Sequence, residues 1–217
     1  MKTPYNEIVN IASIGSQTNP ISLNEILRKA NDEQLTPAAQ NKERVLFLGI
    51  DVQQDFMDNG ALGVPGAHGD VERMTQFIYN NMDKITNIAV SIDTHTPHQI
   101  FHPCWWIDEN GNNPAPYTPI TLADLDSGKY RAVIYPRQSR DYVEHLEKDG
   151  KKTLCVWSYH CLQGTSGAAF ENQFANMIYF HSVAKKAVTQ RLVKGQDPLS
   201  VMFENLFNAF QYAMALC

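Results

Sequence analysis

The stretch Val-Leu-Phe-Leu-Gly-Ile-Asp-Val-Gln-Gln-Asp-Phe, residues 45–56, decides the fold. Its first half is a short apolar run with no clear alternation, which is how a strand buried on both faces of a parallel sheet reads. The run stops at Asp51. Working outward, residues 88–92 form a second apolar run that stops at Asp93, and residues 153–157 a third that stops just before His160. Residues 187–193 give a fourth, running into Lys194-Gly195. Between the first two runs, a turn-rich stretch at 58–66 precedes Val71, Met74, Phe77, Ile78, Met82 and Ile85, whose spacing paints one face of a helix. Strand, helix and strand in that order predict right-handed crossovers on an open, mostly parallel sheet, an α/β fold with three α/β/α layers. Further helices are expected over residues 22–31, 139–148 and 168–179.

The bulk properties narrow the function classes. The 217 residues are 43% hydrophobic, enough for one sizeable core and too few for several domains. We expect an N-terminal helical arm over residues 1–44 and a main domain over 45–217, with an insertion at about 101–135 that carries Trp105, Trp106, Gly111, Pro114, Pro116 and Pro119. Against 23 acidic residues stand 18 basic ones, with no block of like charge, which argues against a nucleic-acid partner. No apolar run approaches the roughly 20 residues that span a bilayer, and the N-terminus lacks a secretory signal, so a cytoplasmic location is the default. Four cysteines without CxxC spacing suit a reducing compartment and leave thiols for chemistry.

Ligands of an open parallel sheet bind outside the carboxyl ends of its strands, and the polar residues there form the candidate site. Asp93 and His95 sit two apart at one strand end, and with His160 they make a two-histidine, one-carboxylate set suited to Zn²⁺, Mn²⁺ or Fe²⁺. His98 and His102 compete for the same role, and spacing alone does not choose among them. Asp51 can act as a general base, and Lys194 as a cation that stabilises developing negative charge. The competing reading makes the aspartates loop caps and the histidines solvated or packing residues.

Taken together, these motifs resemble the nicotinamidase/isochorismatase group of cysteine hydrolases. The resemblance rests on Asp-Val-Gln-Gln-Asp-Phe at 51–56, Gly60-Ala61-Leu62, Val64-Pro65-Gly66, Asp93-Thr94-His95, the stretch from Trp157 through His160-Cys161 to Gly164-Thr165 and Gly167, and Val193-Lys194-Gly195. It covers roughly residues 45–197 and implies a Rossmann-like fold with an aspartate, lysine and cysteine catalytic set beside a metal that binds the substrate's ring nitrogen. Carried over residue by residue, the aspartate role falls on Asp51, the lysine role on Lys194, and the metal-ligand roles on Asp93, His95 and His160, with Zn²⁺ the first choice of metal. Phe56 and Trp157 become candidate walls for the ring, and the substrate a small heteroaromatic carboxamide. The metal set points to the nicotinamidase branch.

The sequence departs from that pattern at the nucleophile. The family's cysteine lies on a strand-to-helix turn several tens of residues beyond the lysine, whereas Cys217 stands 23 positions after Lys194 and is the last residue. Cys104, Cys155 and Cys161 match no nucleophilic position. The alternative is therefore a family member that keeps the metal site without catalysis. The sheet is expected to be incomplete at its C-terminal side, with an apolar edge covered by residues 201–217 or by a second copy of the chain. We predict a homo-oligomer: light scattering on the eluted protein should give a mass above that of one chain, and a monodisperse monomer at working concentration would refute the expectation.

Overall fold

The computed structural model of the chain describes residues 1–150 and 152–200. The expected helix within 201–217, and Cys217 with it, lie outside the described residues. In chain order the elements are α1 (Leu23–Asn31), β1 (Leu46–Gly49), α2 (Ala67–Asn80), β2 (Asn87–Asp93), β3 (Trp106–Asp108), β4 (Pro119–Ile120), α3 (Leu122–Asp126), β5 (Tyr130–Ala132), α4 (Pro136–Lys148), β6 (Leu154–Cys155), α5 (Asn172–Ala184) and β7 (Gln190–Lys194). They fall into two compact units, Met1–Asp93 with Ser166–Lys194, and Thr94–Thr165 with residues 195–200.

The first unit is the α/β body expected from the sequence. Its sheet is parallel, in the order β1-β2-β7, with Gly49 opposite Val90 and Asp93 opposite Lys194. Along β2, Ile88 and Val90 point to one face and Ala89 and Ser91 to the other, and all four are buried, as in a central parallel strand covered on both faces, with Ser91 the one polar residue among them. Ile88 and Val90 join Val71 and Ile78 of α2 and Phe174, Met177 and Ile178 of α5 in one core, to which Ile8, Ile26 and Ala30 from the N-terminal residues also belong. Gly49 lets α5 come close: a Cβ there would lie 2.7 Å from Phe174 Cζ.

Side chains set the helix starts. Asp58 accepts the N–H groups of Gly66 and His68 at 2.6 and 2.9 Å where α2 begins, with Gly66 in the left-handed region at φ 88°. Fully buried Glu171 caps α5 by accepting from Gln173 and Phe174, and it also accepts the N–H of Gly15 at 3.1 Å, fastening the N-terminal segment to the helix start.

The second unit holds two small antiparallel pairs, β3 with β5 and β4 with β6, around a core of Trp105, Trp106, Ile120, Val143, Leu154 and Val156. The expectation for residues 153–157 is corrected here. Only Leu154–Cys155 is strand, and it pairs antiparallel with Pro119–Ile120 instead of joining the parallel sheet. The third strand of that sheet is β7. Trp105 donates its indole N–H to Ser139 at 3.0 Å and Trp106 to the Ile100 carbonyl at 2.6 Å, which is how two large polar-tipped rings are buried without loss. Among the described residues, no helix is long and apolar enough to cross a membrane.

Buried His181 on α5 donates its Nε2–H to the Ile85 carbonyl at 3.0 Å, and burial pushes its pKa down to about 4. The neutral ring is therefore kept in the folded state while the unfolded chain takes up a proton near the ordinary 6.5. The stability it contributes is present above pH 6.5 and is lost as the pH falls from there towards about 4, amounting to about 3 kcal/mol. His181→Gln, which keeps a donor but does not titrate, should flatten the acid limb of urea-unfolding free energy over that range.

Candidate functional site

In the first unit, three charged groups meet at the carboxyl ends of the parallel strands. Lys194, the last residue of β7, places its ammonium 2.8 Å from Asp51 Oδ2 and 2.7 Å from Asp93 Oδ1. The three side chains are largely shielded, at 11%, 24% and 13% exposure, so the attraction acts in a medium much less polar than water. Both carboxylates raise the Lys194 pKa against the opposing effect of burial, and the ammonium stays charged.

Asp51 reaches this position by leaving the sheet. Its φ of 53° lies in the left-handed region, uncommon for a residue with a side chain and concentrated at functional sites. The ladder from β1 to β2 ends at the Gly49–Val90 pair, and beyond it side chains replace main-chain partners. Ser91 Oγ accepts the Asp51 N–H at 3.0 Å and donates to Asp51 Oδ1 at 2.6 Å. Gln53, fully buried, accepts the Asp93 N–H at 2.7 Å and donates to the Asp93 carbonyl at 2.8 Å and the Ala168 carbonyl at 2.9 Å. Both ends of the carboxylate pair are thereby fixed by neutral amides and a hydroxyl. Phe56 lies half-buried in the 3₁₀ turn that follows.

The second unit gathers histidines. The rings of His95, His102 and His160 have centroids 4.9 Å (His95–His160), 5.6 Å (His102–His160) and 5.9 Å (His95–His102) apart, and all three are buried. Each turns Nδ1 to a main-chain carbonyl: His95 to Gly195 at 3.0 Å, His102 to Pro97 at 3.1 Å and His160 to Ser158 at 2.7 Å. A carbonyl only accepts, so each Nδ1 donates its N–H. Burial and the two neighbouring rings push the His102 pKa down to about 4, and its Nε2 is a buried nitrogen with no hydrogen-bond partner. His98 is exposed and stands apart from this arrangement. Trp157 is half-buried and meets Tyr117 edge to face at 5.8 Å.

Thus Asp51, Lys194 and Asp93 are brought together in one unit, and His95 and His160 in the other, with Asp93 the last residue of the first unit and His95 two positions further along the chain. The donor set of Asp93, His95 and His160 offers a carboxylate oxygen and two ring nitrogens. Sequence reasoning missed Ser91, because a serine within an apolar run carries no signal of whom it bonds, and it groups Gln53 with Asp51 and Asp55 at the strand end without showing that its partner is the Asp93 main chain. His102 was left undecided against His98. Its place four residues after His98, behind apolar Ile100 and Phe101, was the available clue that it points inward.

No family model and no curated protein matches the sequence. Among solved structures, the chain is similar to the yeast nicotinamidase Pnc1p bound to the inhibitor nicotinaldehyde, at 18% identity over 72% of this chain and 58% of that one, with a TM-score of 0.46. It is similar to a nicotinamidase/pyrazinamidase of Acinetobacter baumannii at 21% identity over 73% of this chain and 55% of that one, TM-score 0.45. A pyrazinamidase of Pyrococcus horikoshii in complex with zinc matches at 18% identity over 79% and 65%, TM-score 0.41. The chain spans less than two thirds of the length of each.

Removing the cation from between two shielded carboxylates leaves them facing each other uncompensated. Lys194→Met should cost about 3 kcal/mol in urea unfolding. Adding Asp51→Asn should recover part of that loss, a non-additivity of about 1 kcal/mol or more that a double-mutant cycle reads directly.

Proposed function

We propose that the chain is a metal-dependent amidohydrolase of the nicotinamidase type, acting on a small heteroaromatic carboxamide. The observation that carries this reading is the Lys194 ammonium held 2.8 Å from Asp51 and 2.7 Å from Asp93 at the carboxyl ends of parallel strands. That is where open α/β sheets bind ligands, and the motifs around it are those whose resemblance assigns Asp51 and Lys194 a catalytic role.

Asp93, His95 and His160 would hold the metal, with His102 a further candidate. The histidine chemistry fits: Nδ1 of each ring is committed to a carbonyl, and the buried Nε2 of His102 has no hydrogen-bond partner. When bound, Zn²⁺, Mn²⁺ or Fe²⁺ would supply Lewis-acid chemistry for a ring nitrogen of the substrate. The resemblance calls for a cysteine nucleophile that none of the described cysteines matches; against such a thiol, Asp51 would take its proton and later give it to the amide nitrogen as ammonia leaves. That thiolate would displace ammonia to leave a thioester, and water, giving a proton to Asp51, would release the acid as the C–S bond breaks and the departing thiolate recovers the proton. Lys194, 2.8 Å from Asp51 Oδ2, orients that carboxylate and offsets negative charge as it develops. Phe56 and Trp157 are the proposed walls for the ring.

One observation favours a second reading, a metal-binding protein without turnover. Among the described cysteines, burial pushes the Cys155 thiol up, Cys161 is enclosed, and Cys104 gives its S–H to the Pro97 carbonyl at 3.0 Å. Ammonia release from nicotinamide and related amides, with and without added Zn²⁺, Mn²⁺ or Fe²⁺, separates the two. The amidohydrolase reading expects metal-stimulated turnover that falls about 10²- to 10⁴-fold in Asp51→Asn. Stoichiometric metal uptake that is lost in His95→Gln and His160→Gln, without ammonia from any amide, would establish the second.

A further inference from the structure

Ser91 is fully buried on β2, and its hydroxyl is spent on one residue. It accepts the main-chain N–H of Asp51 at 3.0 Å and donates to that residue's Oδ1 at 2.6 Å. Asp51 Oδ2 faces Lys194 at 2.8 Å. The two oxygens therefore have different partners, and the carboxylate is held against rotation about its own axis. The same hydroxyl offers an acceptor to a main-chain N–H that lost its ladder partner when β1 ended at Gly49. A single side chain thus supports both the left-handed backbone of Asp51, at φ 53°, and the direction of its carboxylate. An alanine at this position fits the apolar strand equally well and supplies neither bond, so packing alone does not account for the hydroxyl.

The geometry points to Ser91 as the positioning residue of the proposed reaction, the group that aims the Asp51 carboxylate at the proton it moves. This rests on the reading of Asp51 as the general base, and it adds a residue that the motif resemblance leaves without a role. The hydrogen bonds of the Ser91 hydroxyl both go to Asp51. It acts through Asp51, and its loss should lower turnover without weakening substrate binding.

The test compares Ser91→Ala with Ser91→Thr, which keeps the hydroxyl, in the full-length chain. Two readouts are taken: ammonia release by the metal-loaded protein, and hydrogen exchange of the Asp51 amide followed by NMR. For Ser91→Ala we expect kcat to fall about 10- to 100-fold, the worth of a hydrogen bond to a charged group, with KM within about threefold. The Asp51 amide should exchange at least about tenfold faster once its acceptor is gone. Ser91→Thr should restore both to within about threefold of the parent. Unchanged exchange in Ser91→Ala, or a Ser91→Thr protein as impaired as Ser91→Ala, would overturn the proposal, as would a rise in KM with kcat intact. If the parent chain releases ammonia from no amide, the function reading fails on that result alone. The exchange arm then still decides whether Ser91 holds Asp51.

Discussion

Two carboxylates at neighbouring strand ends repel each other, and in a shielded setting that repulsion works against the sheet that brings them together. Lys194 resolves it. Its position follows from the register of the sheet, because β2 and β7 run parallel with Asp93 opposite Lys194, so the cation is delivered to the same layer as the anion it must neutralise. A slip by one residue would send Lys194 to the other face of the strand and leave Asp93 and Asp51 unpaired. The ion pair therefore acts as a register lock as well as a chemical group. A desolvated cation between two anions is a costly arrangement to build, and the raised pKa of Lys194 marks how strongly the two carboxylates hold it charged.

The loop after β1 shows how such a group is supported. The backbone turns left-handed at Asp51, which removes the next ladder partner of β2, and neutral side chains take over. Ser91 serves Asp51, and Gln53 pairs with both main-chain groups of Asp93 as an extra strand would. Neutral donors and acceptors fit this role because they satisfy the main chain without adding charge to a site whose balance is already set by three ions. The same economy appears at α5, where buried Glu171 closes the helix start and holds Gly15.

Much of this was readable before any coordinates. Residues 87–93 announced themselves because a central parallel strand is largely apolar on both faces, whereas 46–49, read as buried on both faces, form a half-buried edge strand of the described sheet; the polar ends of the two runs mark Asp51 and Asp93. The run at 187–193 was displaced by only a few residues from β7. What failed was the assignment of residues 153–157. Leu154 and Val156 are buried and look like core strand positions, but a short apolar run does not say which partner it pairs with. Here the partner is Pro119–Ile120, a two-residue strand inside the insertion, which no periodicity reveals. The left-handed Asp51 was equally hidden, since aspartate tolerates that conformation without requiring it, and no glycine stands there to signal it.

The histidines carry the argument one step further. A buried histidine with acceptors on both ring nitrogens is suited to carry charge, and one with an unmatched ring nitrogen is not. In the second unit the three rings instead face main-chain carbonyls through Nδ1 and lie against one another, and burial drives the His102 pKa down to about 4, which keeps that ring neutral at physiological pH. His102 thus keeps a buried Nε2 with no hydrogen-bond partner beside the two other rings. The first unit, by contrast, already contains its own compensating cation for the Asp51–Asp93 pair. The carboxylates are thus supplied with Lys194 by the fold, whereas His102 is buried neutral with one ring nitrogen unmatched.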